Sequence, residues 1–163
     1  MTSSARRAVT TDLATLCRQA DQLTASGGYE EAIALYREVL AEDPNNAQAL
    51  NNLASSLTDT GEVKAAVPLA RQAMTLWPDN ADVTDTLGWA LLKSGQTAEA
   101  LMMLKTASAL RPRDALLMYH LAVAQKEAGD PQAARATLVS ALALPGEFKE
   151  AAAARALLGE LSK

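Results

Sequence analysis

Few side chains in this sequence could do covalent or metal chemistry. His120 is the only histidine and Cys17 the only cysteine. A thiol beside an imidazole is a nucleophilic pair, and metal centres draw on the same residues in groups of three or four. One of each, far apart in the chain, makes neither, so no catalytic residue, metal site or cofactor is expected. Cys17 is read as a small packed apolar side chain, and His120 as a partly exposed helix residue. The acidic pairs Glu30–Glu31 and Glu42–Asp43 fall at a helix start and in a turn, where solvation accounts for them. No glycine-rich phosphate loop follows a strand. Met102 and Met103 are expected to pack a helix, although methionines also line adaptable binding surfaces.

What remains is recognition chemistry. In "TLGWALLKSG", residues 86 to 95, Leu87, Gly88 and Leu91 make one apolar stripe at helical spacing. Trp89 and Leu92, with Asp85 one turn before Trp89, make a second stripe on nearly the opposite side. A surface helix needs only one buried stripe, so the second is a candidate binding surface.

The elements that would carry it are helical. Hydrophobic residues make up 49% of the 163 but aromatics only 4%, so the apolar content is largely Ala and Leu, which favours helices over strands. The chain is long enough for one domain with a continuous core. A net charge of -4 argues against nucleic acid as the ligand. No apolar run approaches the length of a membrane span, so no membrane insertion is expected. Arg6 and Arg7 precede a stretch too polar for a signal's apolar region. The default expectation is the cytoplasm, or the periplasm if a signal has been removed.

The sequence repeats. Pro44, Pro78 and Pro112 fall 34 residues apart, and the same step links Gly27, Gly61, Gly95 and Gly129. It also links Ala32, Ala66, Ala100 and Ala134, and the small residues Ala20, Ala54, Gly88 and Ala122. Such a period signals a solenoid. Each repeat reads as a helix ending at the glycine, where a left-handed residue closes it, then a second helix ending before the proline. In the fourth repeat Asp130 can cap the second helix and Pro131 open it. The recurring small residues suit a close helix crossing, where larger side chains would overpack.

With these residues in hand the chain resembles the tetratricopeptide repeat family. The motif is matched in repeat 2 by Leu50, Leu53, Ala54, Leu57, Gly61, Ala66 and Pro78. Repeat 3 matches with Leu87, Gly88, Leu91, Gly95, Ala100, Leu104 and Pro112. The resemblance implies an all-α, right-handed superhelix of four helix pairs. They fall at about 13–46, 47–80, 81–114 and 115–146, with a capping helix at about 147–162 and a flexible tail at 1–11. Gln19 replaces the motif's Leu, which predicts a loosely held first helix. Pro68 inside a helix predicts a kink or a late start, at a cost of about 3 kcal/mol in a helix interior.

In this family the first helices line a concave face that holds a partner's peptide or helix. The matching positions are Cys17, Asp21 and Thr24, then Asn51, Ser55 and Thr58, then Asp85, Trp89 and Leu92, then Tyr119, Val123 and Lys126. They predict a wall that is polar at its N-terminal end and apolar and aromatic at its C-terminal end. The family's carboxylate clamp is matched only at Asn52, while Asp82 would repel a carboxylate, so that clamp is not expected. Trp89 could instead pack against the next repeat above Ala122.

The function expected is a non-catalytic scaffold or adaptor binding another protein in the groove. Two alternatives stand beside it. One is a docking or regulatory segment of a larger enzyme, such as a transferase. The other is a homo-oligomer closed through the groove or the Trp77 region.

Overall fold

A computed structural model describes residues 12–163, and the expected tail at 1–11 lies outside them. The described residues form helices and no strand: α1 (Leu13–Ala25), α2 (Tyr29–Glu42), α3 (Ala47–Asp59), α4 (Val63–Leu76), α5 (Ala81–Lys93), α6 (Thr97–Leu110), α7 (Ala115–Glu127), α8 (Pro131–Leu142) and α9 (Ala151–Glu160). The chain is an all-α superhelical solenoid in which each helix packs on its neighbours in sequence. The odd-numbered helices also pack one on the next, α1 on α3, α3 on α5 and α5 on α7, making a continuous inner layer. No helix among the described residues is long and apolar enough to cross a membrane.

The repeating glycines end the first helix of each pair. Gly61, Gly95 and Gly129 have φ of 89°, 82° and 84°, a region L side chains avoid. The next N–H then reaches back five residues, as in Glu62 N to Leu57 O at 2.7 Å and Gln96 N to Leu91 O at 2.9 Å. That satisfies carbonyls the helix end would leave bare. The starts of α3, α5, α7 and α8 are capped by Asn46, Asn80, Asp114 and Asp130, whose side-chain oxygens accept from backbone N–H groups.

The core is built at the helix crossings. Ala20, Ala54 and Ala122 are sealed from solvent, as are Ala32, Ala66, Ala100 and Ala134. At the fourth member of the first set, Gly88, an added Cβ would stand 2.7 Å from the Leu104 Cγ. Buried clusters straddle the joints between repeats, and one joins Ala122, Ala134 and Leu138 of the fourth pair to Ala154 and Leu157 of α9. Each pair thus shelters the apolar side of the next.

Pro68 does not delay its helix: α4 begins at Val63 and runs through the proline to Leu76. Pro68 and Lys64, whose carbonyl loses its partner, are both exposed, so water can take that bond. Met102 is also exposed, unlike the packed Met103. Between α2 and α3, α4 and α5, and α6 and α7, the joints are residues 43–46, 77–80 and 111–114; between α8 and α9 the joint is 143–150, twice as long.

Candidate functional site

The inner layer encloses an open cavity of about 440 Å³. Asn51, Asn52, Ser55 and Thr58 reach it from α3, Asp85 and Trp89 from α5, and His120 from α7, with Lys149 and Glu150 entering from the long joint. Six residues expected on the groove therefore share one cavity.

The N-terminal part is a polar network. The Tyr36 hydroxyl donates to Asp21 Oδ1 at 2.6 Å, Asn52 Nδ2 to the same oxygen at 2.8 Å, and Gln48 Nε2 to Asp21 Oδ2 at 3.1 Å. Asn51 Nδ2 donates to Asn52 Oδ1 at 3.0 Å, while Asn51 Oδ1 is buried and has no donor among the described residues. Burial, and then the neighbouring Asp21, hold the Tyr36 phenol well above its ordinary value. Thr58 is buried and donates to the Ala54 carbonyl at 2.8 Å, so its hydroxyl is used within the helix.

The C-terminal part is an aromatic stack over a buried acid. Helix α5 places Asp85 one turn before Trp89, and α7 sets His120 between them. His120 Nδ1 lies 2.8 and 2.9 Å from the two Asp85 oxygens. The His120 ring stacks on Trp89 at 4.1 Å with 17° between the planes, and Lys93 Nζ lies 4.5 Å from the Trp89 centroid. Burial raises the Asp85 carboxyl above its ordinary value of 3.8, opposed by the hydrogen bond and charge of His120. Nδ1 is the His120 nitrogen that faces the carboxylate, so its proton is the one Asp85 can hold in place.

The expectation for His120 is corrected: the ring is buried at 7% exposure, because it fills the space between Trp89 and Asp85. Of the groove residues expected from the last two repeats, Leu92, Tyr119, Val123 and Lys126 do not line the cavity. Leu92 is buried in the core with Leu91 and Ala124 rather than presented on the wall. Val123 packs between that core and the last one. Tyr119 lies 6.4 Å from Trp89 and 6.4 Å from Phe148 of the long joint. Lys126 is paired with Glu160 of α9 at 3.9 Å. The residues after α8 therefore cover the end of the wall that the sequence left open.

His120 and the 148–150 segment were not read from sequence as site residues. Their signals were present: His120 lies one repeat plus one residue beyond Asp85, and the joint before α9 breaks the repeat spacing. Cys17 is buried, and its thiol is raised by burial, then by the charges of Asp21 and Asp12. Among the described residues no group of three or more His, Cys, Asp or Glu is placed to hold a metal. An imidazole fixed by a carboxylate is a catalytic part, and Cys17 does not line the cavity that holds it.

Comparison with known proteins agrees with the repeat. Two tetratricopeptide repeat models match residues 17–81 and 91–161, together more than half of the chain. Among solved structures, a thermophilic tetratricopeptide repeat protein of Thermus thermophilus, TTC0263, is similar at 27% identity and a TM-score of 0.79, over 92% of this chain and 81% of that one. MamA from Desulfovibrio magneticus RS-1, residues 41 to the end, is similar at 21% identity and a TM-score of 0.73, over 83% and 77%. Cut9, crystallised with Hcn1 as a hetero-tetramer of the APC/C, superposes at 23% identity and a TM-score of 0.81, over 92% of this chain and 30% of that chain. No match was found among curated proteins.

Proposed function

Because the chain belongs to the tetratricopeptide repeat family, whose members are typically interaction modules rather than catalysts, we propose that it is a non-catalytic scaffold that holds a segment of a partner protein in its inner groove. One observation carries this reading. The cavity places a buried acceptor with no donor among the described residues, Asn51 Oδ1, on the same wall as the half-buried indole of Trp89. Aromatic anchors are enriched at binding hot spots, and a buried acceptor left unpaired is costly until a partner supplies a donor. The helices that hold both are fixed by packing on either side, so the receptor loses little freedom when it binds.

Capture from the source organism tests this, with wild type beside a Trp89→Ala variant. The partner should bind the variant at least about 30-fold more weakly, the loss of a hot spot worth roughly 2 kcal/mol. A partner held equally by both proteins lies elsewhere on the surface, and the groove reading fails.

A further inference from the structure

The joint between α8 and α9 is longer than the chain needs. Four residues connect the second helix of one pair to the next at the three other joints, and 143–150 holds eight. The surplus enters the groove. Gly146 turns the chain with φ of 96°, after which Phe148 lies against Tyr119. Lys149 then reaches back two repeats to α3, where its Nζ is 3.6 Å from Asp59 Oδ2. Lys149 lines the cavity between Asn51 and Asp85 as well as a second one beside Tyr29 and Tyr36. It thus stands where the polar and aromatic parts of the wall meet.

The wall around it is acidic. Asp59, Asp82, Asp85 and Glu150 line the same cavity. Asp82 is paired with Arg111 and Asp85 with His120, which leaves Asp59 and Glu150 to Lys149, the one Lys or Arg side chain lining it among the described residues. Two buried acceptors there, Asn51 Oδ1 and Glu150 Oε2, have no donor among the described residues. A buried acceptor left unpaired is costly, so the site lacks N–H groups rather than more oxygens. Lys149 meets this demand poorly. Its side chain is 68% exposed, and exposed ion pairs hold little. Opposing effects act on its ammonium: desolvation lowers it, but the charges of Asp59, Tyr29 and Glu150 outweigh that and raise it.

We propose that residues 145–150 are a built-in occupant of the groove, and that the partner segment displacing them carries a lysine or arginine into the place of Lys149. This rests on the groove reading above and adds the partner's chemistry. A guanidinium offers five N–H donors in a fixed fork and an ammonium three. Either one supplies donors to Asn51 Oδ1 while keeping the pair with Asp59. An acidic or phosphorylated segment meets the Asp59 carboxylate instead, stripped of the Lys149 ammonium. The chain's own strap competes for the same surface, so the groove resists partners that lack the cation.

Fluorescence anisotropy on the full chain tests this with a labelled peptide, Pro-Gly-Glu-Phe-Lys-Glu, copied from residues 145–150. The second probe is the same peptide with glutamate in the lysine's place. Lys149→Ala frees the groove at an exposed position that folding does not depend on, and Phe148→Ala/Lys149→Ala frees it further. The lysine peptide should bind both variants at least about tenfold tighter than wild type, and the glutamate peptide should bind neither. Adding Asp59→Asn to Lys149→Ala should weaken the lysine peptide at least about fivefold. Equal binding to wild type and variants, no binding to any of them, or equal binding of both peptides overturns the proposal. The groove reading has its own readout: a partner that depends on Trp89 but ignores the strap and carries no basic residue leaves it standing while this inference falls.

Discussion

Asp21 and Trp89 occupy the same place in their repeats, two periods of 34 residues apart, and the wall around each is organised differently. Asp21 takes hydrogen bonds from three neutral donors, Tyr36, Gln48 and Asn52, at 2.6 to 3.1 Å. At the other end the carboxylate comes from Asp85, one turn earlier, and both its oxygens face a single ring, His120, under the Trp89 indole. The first arrangement is redundant and the second is not. A carboxylate with three donors loses part of its support when one goes, whereas one with a single partner is left bare. The helical scaffold tolerates both because the inner positions of each repeat are free of the crossings where Ala and Gly are required.

The sharpest test of this contrast removes the single partner. His120→Ala leaves a buried carboxylate without its counter-group, which typically costs about 3–5 kcal/mol at neutral pH. The loss should depend on pH in a definite direction. Burial already raises Asp85 above 3.8 with His120 opposing it, and removing the ring removes the opposition. A carboxyl raised in the folded state binds its proton more tightly folded than unfolded, so stability falls as pH rises between the ordinary and the raised values. The deficit against wild type should therefore be largest at neutral pH and shrink as the pH is lowered toward 3.8. Urea unfolding of both proteins across that range measures it. A deficit that is small or flat with pH would mean that Asp85 is not the isolated acid its surroundings indicate.

Trp89 gives a smaller effect that decides how closed this end is. A core tryptophan costs about 3–5 kcal/mol on truncation to alanine, and a surface site usually within about 0.5 kcal/mol. Trp89 is half-buried, packed on His120 on the wall of an open cavity, so Trp89→Ala should cost about 2 kcal/mol, midway between the two. Thermal melts measure the change. A loss in the full core range would move Trp89 into the packing of the solenoid and shrink the surface left for a partner.

The sequence carried the repeat almost completely, because helix ends and crossings obey local rules. Positive φ at Gly61, Gly95 and Gly129 and close packing at Ala54, Gly88 and Ala122 each demand one or two residue types, so they show at fixed spacing. The polar half of the wall was legible for the same reason: Asn51, Asn52 and Ser55 sit on α3 at positions the repeat assigns to the groove. The other half was not. The burial of His120 depends on Asp85 from the preceding pair, and Leu92 is drawn into the core shared by α5, α6 and α7. The strap at 143–150 escaped because its course is set by contacts with Tyr119 and Asp59, which no local pattern encodes. Pro68 does not delay α4, for the opposite reason. The local rule was right about the missing bond, but the carbonyl concerned lies on the exposed side of α4, where its loss costs little.

The redundant end supplies the smallest effect and the control for the largest. Tyr36→Phe removes the shortest of the three donors to Asp21 and keeps the ring in its sealed place, so no cavity is made. A hydrogen bond to a charged group is worth about 1.5–3 kcal/mol. Asp21 is only partly buried, however, and retains Gln48 and Asn52, so the net loss should lie near or below the lower bound, about 1 kcal/mol. The burial that raises the phenol keeps it neutral through the ordinary range, so the Tyr36 hydroxyl itself should add no pH dependence near neutrality, unlike the His120 variant. Urea unfolding at neutral pH measures both variants on one scale. If Tyr36→Phe proves as damaging as His120→Ala, three donors are no more forgiving than one, and the two ends of the groove differ in their residues but not in how they are held.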